Sequence, residues 1–325
     1  MCRREKATGA SIWGTTAGEE RNRKLFVLIG FAIVLGGVLG GYVLHHGPLG
    51  VLFQPTEFLI IGGACVGSIV VMSPMPILKK LIGEIKFCFT NGKETTATAR
   101  DRLVSVYRVL RVAQYDGATG LEKHIERPKE SEIFKQNPAF LKDHHGLEFF
   151  CDTMKVIMLG SVPPHQIGEL TELILKTHED EAHQPISVLQ KVSDALPGLG
   201  IVAAVLGIVI TMQHIDGDPG EIGHNVAVAL VGTLLGVLAC YGFVGPMAAR
   251  LEFLHREEHD SMKSLQACMV AYANGSPPQA CVEFGRAALP SHCRPGFDEL
   301  EKACRNAGKA VPAGAEGEKK AEAAA

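Results

Sequence analysis

The chain has 325 residues, of which 46% are hydrophobic and 21% charged, with a formal net charge of −3. That balance gives no electrostatic reason to bind nucleic acid, and a single tryptophan offers no stacking platform. A slightly positive mean hydropathy beside so many charges means that apolar and polar blocks alternate along the chain. The nine cysteines are scattered and form no CxxC pair. They therefore describe neither a disulfide framework nor a zinc site, and read as small buried or idle thiols.

Residues 1–24 read as a basic, unstructured extension ahead of a first apolar stretch, Leu25–Leu44, which carries no charge. Crossing a bilayer takes about 20 apolar residues, so this stretch qualifies as a span. It is too long for the core of a secretory signal, and no A-x-A site follows it. A second span runs from about Phe58 to Met75, after Pro55 and Glu57.

Residues 76–195 are mainly helical in pattern. Leu103, Val106, Tyr107 and Leu110 recur at helical spacing within Asp101–Val112, a new helix is expected near Thr119, and two more over Gly146–Leu159 and Pro164–Thr177. No alternating strand pattern of useful length appears. A third span covers about Leu196–Met212 and a fourth about Val226–Pro246, with Leu251–Met269 continuing as a helix. The tail from Ala310, rich in Ala, Glu, Lys and Gly, reads as disordered.

The basic residues fix an orientation. All 32 lysines and arginines fall within residues 1–24, 76–195 and 248–325. By the positive-inside rule these blocks are cytoplasmic, and the connections at 45–56 and 213–222 lie outside. The resulting class is an all-α polytopic membrane protein with four transmembrane helices and a helical cytoplasmic domain between the second and third. Its parts are a cytoplasmic extension (1–24), a membrane hairpin (25–75), a cytoplasmic domain (76–195), a second hairpin (196–249) and a cytoplasmic helix with its tail (250–325).

Small residues recur at four-residue spacing in the spans: Gly36/Gly40 and Gly37/Gly41, then Gly200, Ala203, Ala204 and Gly207, then Gly232 and Gly236. Such faces let helix backbones approach closely in lipid. No Asp, Glu, Lys, Arg or His lies within Leu196–Met212 or Val226–Pro246, where Thr211, Thr233 and Tyr241 are the hydroxyls. If the chain conducts protons, the titrating carboxylate must then come from another chain. Pro197 and Pro246 read as helix-boundary prolines or hinges. His144, His145, His178 and His183 lack metal-ligand spacing and read as surface histidines, so no metal site is expected.

Several segments together carry a resemblance. These are Leu28-Ile-Gly to Tyr42, Gly50-Val-Leu-Phe-Gln-Pro-Thr-Glu-Phe58, Leu121-Glu-Lys-His to Glu132-Ile-Phe134, His178-Glu through Asp194-Ala-Leu-Pro-Gly to Gly207, Val231-Gly-Thr to Pro246 and Ala280-Cys-Val-Glu-Phe-Gly-Arg286. In order and over nearly the whole chain they resemble the MotA family of flagellar motor stator subunits. Only the first 24 residues or so and the last 15 or so have no counterpart.

The resemblance implies an inner-membrane pentamer around two MotB chains. MotB supplies the ion-binding aspartate, and ion flow turns the ring against the rotor protein FliG. The family's rotor-contacting glutamate falls on Glu122. Its arginine falls on Gln114, a departure that Arg111, one turn earlier, would fill. The two coupling prolines fall on Pro197 and Pro246 and the pore threonine on Thr233. Ala204 stands where sodium-driven members have a threonine, which implies protons as the transported ion, with no cofactor and no enzymatic activity. The alternatives are a TolQ- or ExbB-like energiser of an envelope protein, and an enzyme or receptor on a membrane anchor.

Overall fold

The computed structural model describes residues 17–90, 94–213 and 215–309, and no strand occurs among them. The expectations for the tail from Ala310, for Cys2 and for residues 1–16 fall outside the described residues. Within the extension, residues 17–24 are helical rather than unstructured: helix α1 runs Ala17–Leu44. Adding residues to an existing helix costs far less than starting one, so the apolar span carries its helix back into the polar leader.

The chain divides into two compact units. The first comprises the chain up to Gly92 together with His183–Leu254. It holds α1, the single turn α2 (Leu49–Leu52), α3 (Pro55–Met72) and α4 (Met75–Thr90). It also takes the later part of α10 (Pro164–Met212), all of α11 (Pro219–Leu238), a π-helical turn (Ala239–Val244) and the start of α12 (Gly245–Ala273). Four helices are long and apolar enough to cross a membrane, their apolar stretches lying in α1, α2–α3, α10 and α11–α12.

Prolines punctuate this unit in two ways. Pro55 opens α3 at a position where a missing N–H costs little, and Asp218 caps α11 by accepting from the Gly220 amide. Pro197, by contrast, lies inside α10, which is continuous through it. Pro246 lies just after the π turn, and the chain continues as α12 to Ala273. Pro197 thus marks no helix boundary, whereas Pro246 stands second in α12, where the π turn gives way to α-helix. In packed membrane helices neighbouring groups and local π turns take up the freed carbonyls. At the π turn the Cys240 carbonyl oxygen accepts the Gly245 N–H, and Ser193 Oγ lies 3.4 Å from the same oxygen.

The second unit comprises Lys93–Ala182 and the chain from His255. Its helices are α5 (Thr96–Tyr115), α6 (Gly117–Glu126), α7 (Glu132–Lys135), α8 (Pro138–Lys142) and α9 (His144–Leu159), with α13 (Pro278–Ala288) and α14 (Phe297–Lys309). Thr95 and Thr98 form a reciprocal capping box that starts α5. Gly117 and Gly160 sit at φ +64° and +60°, turns that side chains resist.

Helix α5 packs against α6, α13 and α14. The buried Phe134, Phe140 and Phe150 meet with ring centroids 5.6–6.5 Å apart, edge-on or tilted as aromatic quadrupoles favour. The segment after residue 250, read from sequence as one helix and a tail, thus contributes two further helices to the core built by residues 93–182.

Candidate functional site

The small residues of α10 and α11 face one another. A Cβ built on Gly200 would lie 2.7 Å from the Gly232 carbonyl oxygen, and one on Gly236 would lie 2.6 Å from the Leu196 carbonyl oxygen. Backbone therefore touches backbone at this crossing, which only glycine permits. Ala203 and Ala204 are buried beside it, and Thr233 is half-buried on α11. The Thr211 hydroxyl donates to the Gly207 carbonyl 2.8 Å away in its own helix and so is already engaged. Tyr241 is exposed. Pro197 is half-buried and Pro246 exposed, on the two helices that form the crossing or continue from it.

One residue at this crossing escaped the sequence reading. Glu57, in the first turn of α3, is 4% exposed, and its Oε2 has no hydrogen-bond partner among the described residues. A Cβ on Gly232 would lie 2.6 Å from that oxygen and 3.2 Å from the Ala204 amide nitrogen. The apolar spans Leu196–Met212 and Val226–Pro246 carry no carboxylate of their own. The unit nevertheless holds a buried carboxylate, because α3 begins at Pro55 and sets Glu57 against Gly232. An acid one residue before an apolar run was the available signal.

In the second unit the residues matched to a rotor contact are dispersed over two helices. Gln114 on α5 and Glu122 on α6 are both exposed. Arg111 is half-buried: its Nη1 donates to the Gly308 carbonyl oxygen at 2.8 Å, and its guanidinium carbon lies 5.2 Å from the centre of the Tyr115 ring. An open groove of about 400 Å³ is lined by Arg111, Gln114, Tyr115, Pro278, Arg305 and Gly308. Arg305, on α14, is largely exposed at this groove and pairs with Glu301 at 2.7 Å. Sequence reasoning missed it because α14 reaches α5 only through the fold.

Three histidines surround one acid elsewhere in this unit. His145, His178 and Glu258 place donor atoms within 4.8 Å of one another, and His255 Nδ1 lies 3.4 Å from Glu258 Oε2. Burial pushes the Glu258 carboxyl up, but the His255 hydrogen bond and the nearby His145 and His178 outweigh it, so its pKa is lowered. Among the described residues this is the one set with the donors to hold a divalent cation. His144 and His183 stand apart from it, exposed.

Two family models match the chain: Motility protein A N-terminal over residues 28–117, and the MotA/TolQ/ExbB proton channel family over residues 144–264. The chain is 39% identical to Motility protein A of Salmonella typhimurium strain LT2 over 281 residues, 86% of this chain and 95% of that protein. With Motility protein A of Escherichia coli K12 the identity is 38% over the same coverage. With chemotaxis protein LafT of Vibrio parahaemolyticus it is 33%, covering 84% of this chain and 96% of that one.

The fold is similar to that of C. jejuni MotAB, with a TM-score of 0.68 at 17% identity over 82% of this chain and 96% of that one. It is likewise similar to the flagellar MotAB stator complex from Bacillus subtilis, with a TM-score of 0.64 at 22% identity over 85% of this chain and 98% of that one. Four apolar helices, a glycine-tight crossing and likeness to these relatives along most of its length together place the chain in the Motility protein A family, within the MotA/TolQ/ExbB proton channel proteins.

Proposed function

We propose that this chain is the proton-driven stator subunit of a flagellar motor, assembled as a ring of five around a MotB-type pair, with both termini in the cytoplasm. The observation that carries the reading is the α10/α11 crossing: a packed, cation-free seam that leaves Thr233 and the hydroxyl-free Ala204 beside the helix a partner would face. An alanine there offers no oxygen to replace sodium's hydration shell, which favours protons. One charge falling through 100 mV releases about 2.3 kcal/mol, enough for a small rotational step when ion binding shifts the balance between two states.

The cytoplasmic unit would press on FliG through its exposed charges. Glu122 supplies the acid. Gln114 supplies no charge, and the groove beside it is instead edged by Arg305. With Arg111 turned onto Gly308, Arg305 is the better placed cation.

Deleting the gene should leave cells flagellated and unable to swim. Non-flagellated cells, or normal swimming with an envelope defect, would favour a TolQ- or ExbB-like role. The match of residues 28–117 to the Motility protein A N-terminal model favours the motor.

A further inference from the structure

Glu57 is a buried acid in the wrong place for a structural one. Glutamate in a first helical turn is common because it faces solvent and favours the positive end of the helix dipole. This one faces α11 instead, 4% exposed, with Oε2 unpartnered among the described residues. No lysine or arginine occurs between Leu25 and Met75 or between Leu196 and Ala249, so the apolar spans hold no fixed cation to neutralise it. Ionisable groups in such positions are expensive to keep and are associated with ion pathways.

The space around the carboxylate is also specific. Gly232 presents bare backbone to Oε2, and a methyl there would come within 2.6 Å of it. The same methyl would meet Ala203 Cβ and the Ala204 nitrogen at 3.2 Å, so the acid sits where α3 meets the α10/α11 crossing. Thr233 is the next residue on α11.

We infer that Glu57 is a proton-binding site contributed by this chain, which takes a proton from the outer aqueous phase and hands it towards the partner's carboxylate at the α10/α11 crossing. This rests on the proton-driven stator reading. In each cycle an O–H bond forms on the Glu57 carboxylate as a hydronium ion gives up its proton to become water. The bond breaks when that proton passes to the next carboxylate, which leaves Glu57 ionised for the next arrival. Gly232 is a positioning residue: its missing side chain lets the carboxylate point at the crossing.

The test uses the full chain with its MotB-type partner in proteoliposomes, with proton flux read by an internal pH dye and assembly read by co-purification. Wild-type complex should conduct. Glu57→Gln should assemble normally and lose the flux, Glu57→Asp should retain flux with an altered pH dependence, and Gly232→Ala should reduce flux by displacing the carboxylate.

Infrared difference spectra of the wild-type complex across a pH series should show a carboxyl C=O band that titrates and is absent from Glu57→Gln. Should that variant fail to assemble, the same band in wild type and its displacement in Glu57→Asp decide the matter. Wild-type flux undiminished in Glu57→Gln, or no titrating band that either substitution removes or shifts, would overturn the assignment of Glu57 alone. Absence of wild-type flux with the partner would overturn the stator reading and this inference with it.

Discussion

Arg111 Nη1 donates a hydrogen bond of 2.8 Å to the backbone carbonyl of Gly308, so a side chain on α5 ties down the last turn of α14. Carbonyls at a helix C-terminus lack intrahelical donors, and a guanidinium is well suited to satisfy one there. Hydrogen bonds to charged groups contribute about 1.5–3 kcal/mol. Arg111→Ala should therefore lower the melting temperature of the purified protein, and Arg111→Glu should lower it further.

This relationship separates two explanations for the missing family arginine. Arg305→Glu should impair swimming with little change in melting temperature, because Arg305 is itself largely exposed and pairs only with its half-buried neighbour Glu301 on the same helix. Gln114→Arg should leave swimming unchanged or improve it. Full motility in Arg305→Glu together with loss in Arg111→Glu, at matched stability, would return the rotor contact to Arg111.

A second ion pair is buried. Arg102 Nη1 lies 2.7 Å from Glu94 Oε1, with the side chains 11% and 9% exposed, and Asp143 follows at 3.8 Å. Removing one partner of such a pair leaves the other charge uncompensated, at a cost of about 3–5 kcal/mol. Arg102→Met should destabilise the protein strongly, as read by chemical denaturation. Adding Glu94→Leu should restore much of the loss. If the double variant is no better than the single one, Glu94 is not the group left stranded.

Two histidines set an acid limit on stability. Burial lowers the pKa of His124 and of His259 below the usual 6.5. The unfolded chain then takes up protons first as pH falls, so this contribution is intact above about pH 6.5 and declines below it. Melting temperature should fall between about pH 7.5 and about pH 5.5, and His124→Gln and His259→Gln should each flatten the slope. The lowered pKa of Glu258 acts only in a more acidic range, below its ordinary value of 4.5.

Buried thiols give a check on packing. Burial pushes Cys151 and Cys304 up to about 12 and Cys281 up to about 11. Because the thiolate is the reactive form, these cysteines should resist maleimide in the native protein and react once denaturant is added. Prompt labelling of Cys151 in the native protein would contradict its place in the α9 core.

What the sequence revealed, and what it hid, follows from the range of the forces involved. Spans are set by local length and composition, so α1, α3 and the apolar parts of α10 and α11 were legible. Helix α14 was hidden because its burial depends on α5, nearly two hundred residues away. The boundary reading of Pro197 gave way because proline ends helices in water, whereas packed helices in membranes can run through it. Glu57 was missed by a single residue at a helix start. Whether an acid at such a boundary faces water or a neighbouring helix depends on Gly232, which only the fold brings near.

The two glycine stripes make opposite predictions. Gly200 stands against backbone: a methyl there would lie 2.7 Å from the Gly232 carbonyl oxygen and 3.0 Å from Gly236 Cα, and backbone cannot swing aside as a side chain can. Gly36, Gly37, Gly40 and Gly41 on α1 meet nothing within 4 Å among the described residues, so in one chain their stripe has room for methyl groups. Gly200→Ala should force α10 and α11 apart and lower the melting temperature of the detergent-solubilised chain even without a partner. Gly36→Ala and Gly40→Ala should leave that temperature unchanged. If the α1 stripe packs against another copy in the proposed ring, the same two substitutions should shift the assembled complex towards smaller species, as measured by native mass spectrometry. A Gly200→Ala chain as stable as wild type would mean that the α10/α11 crossing is looser than its backbone contacts describe.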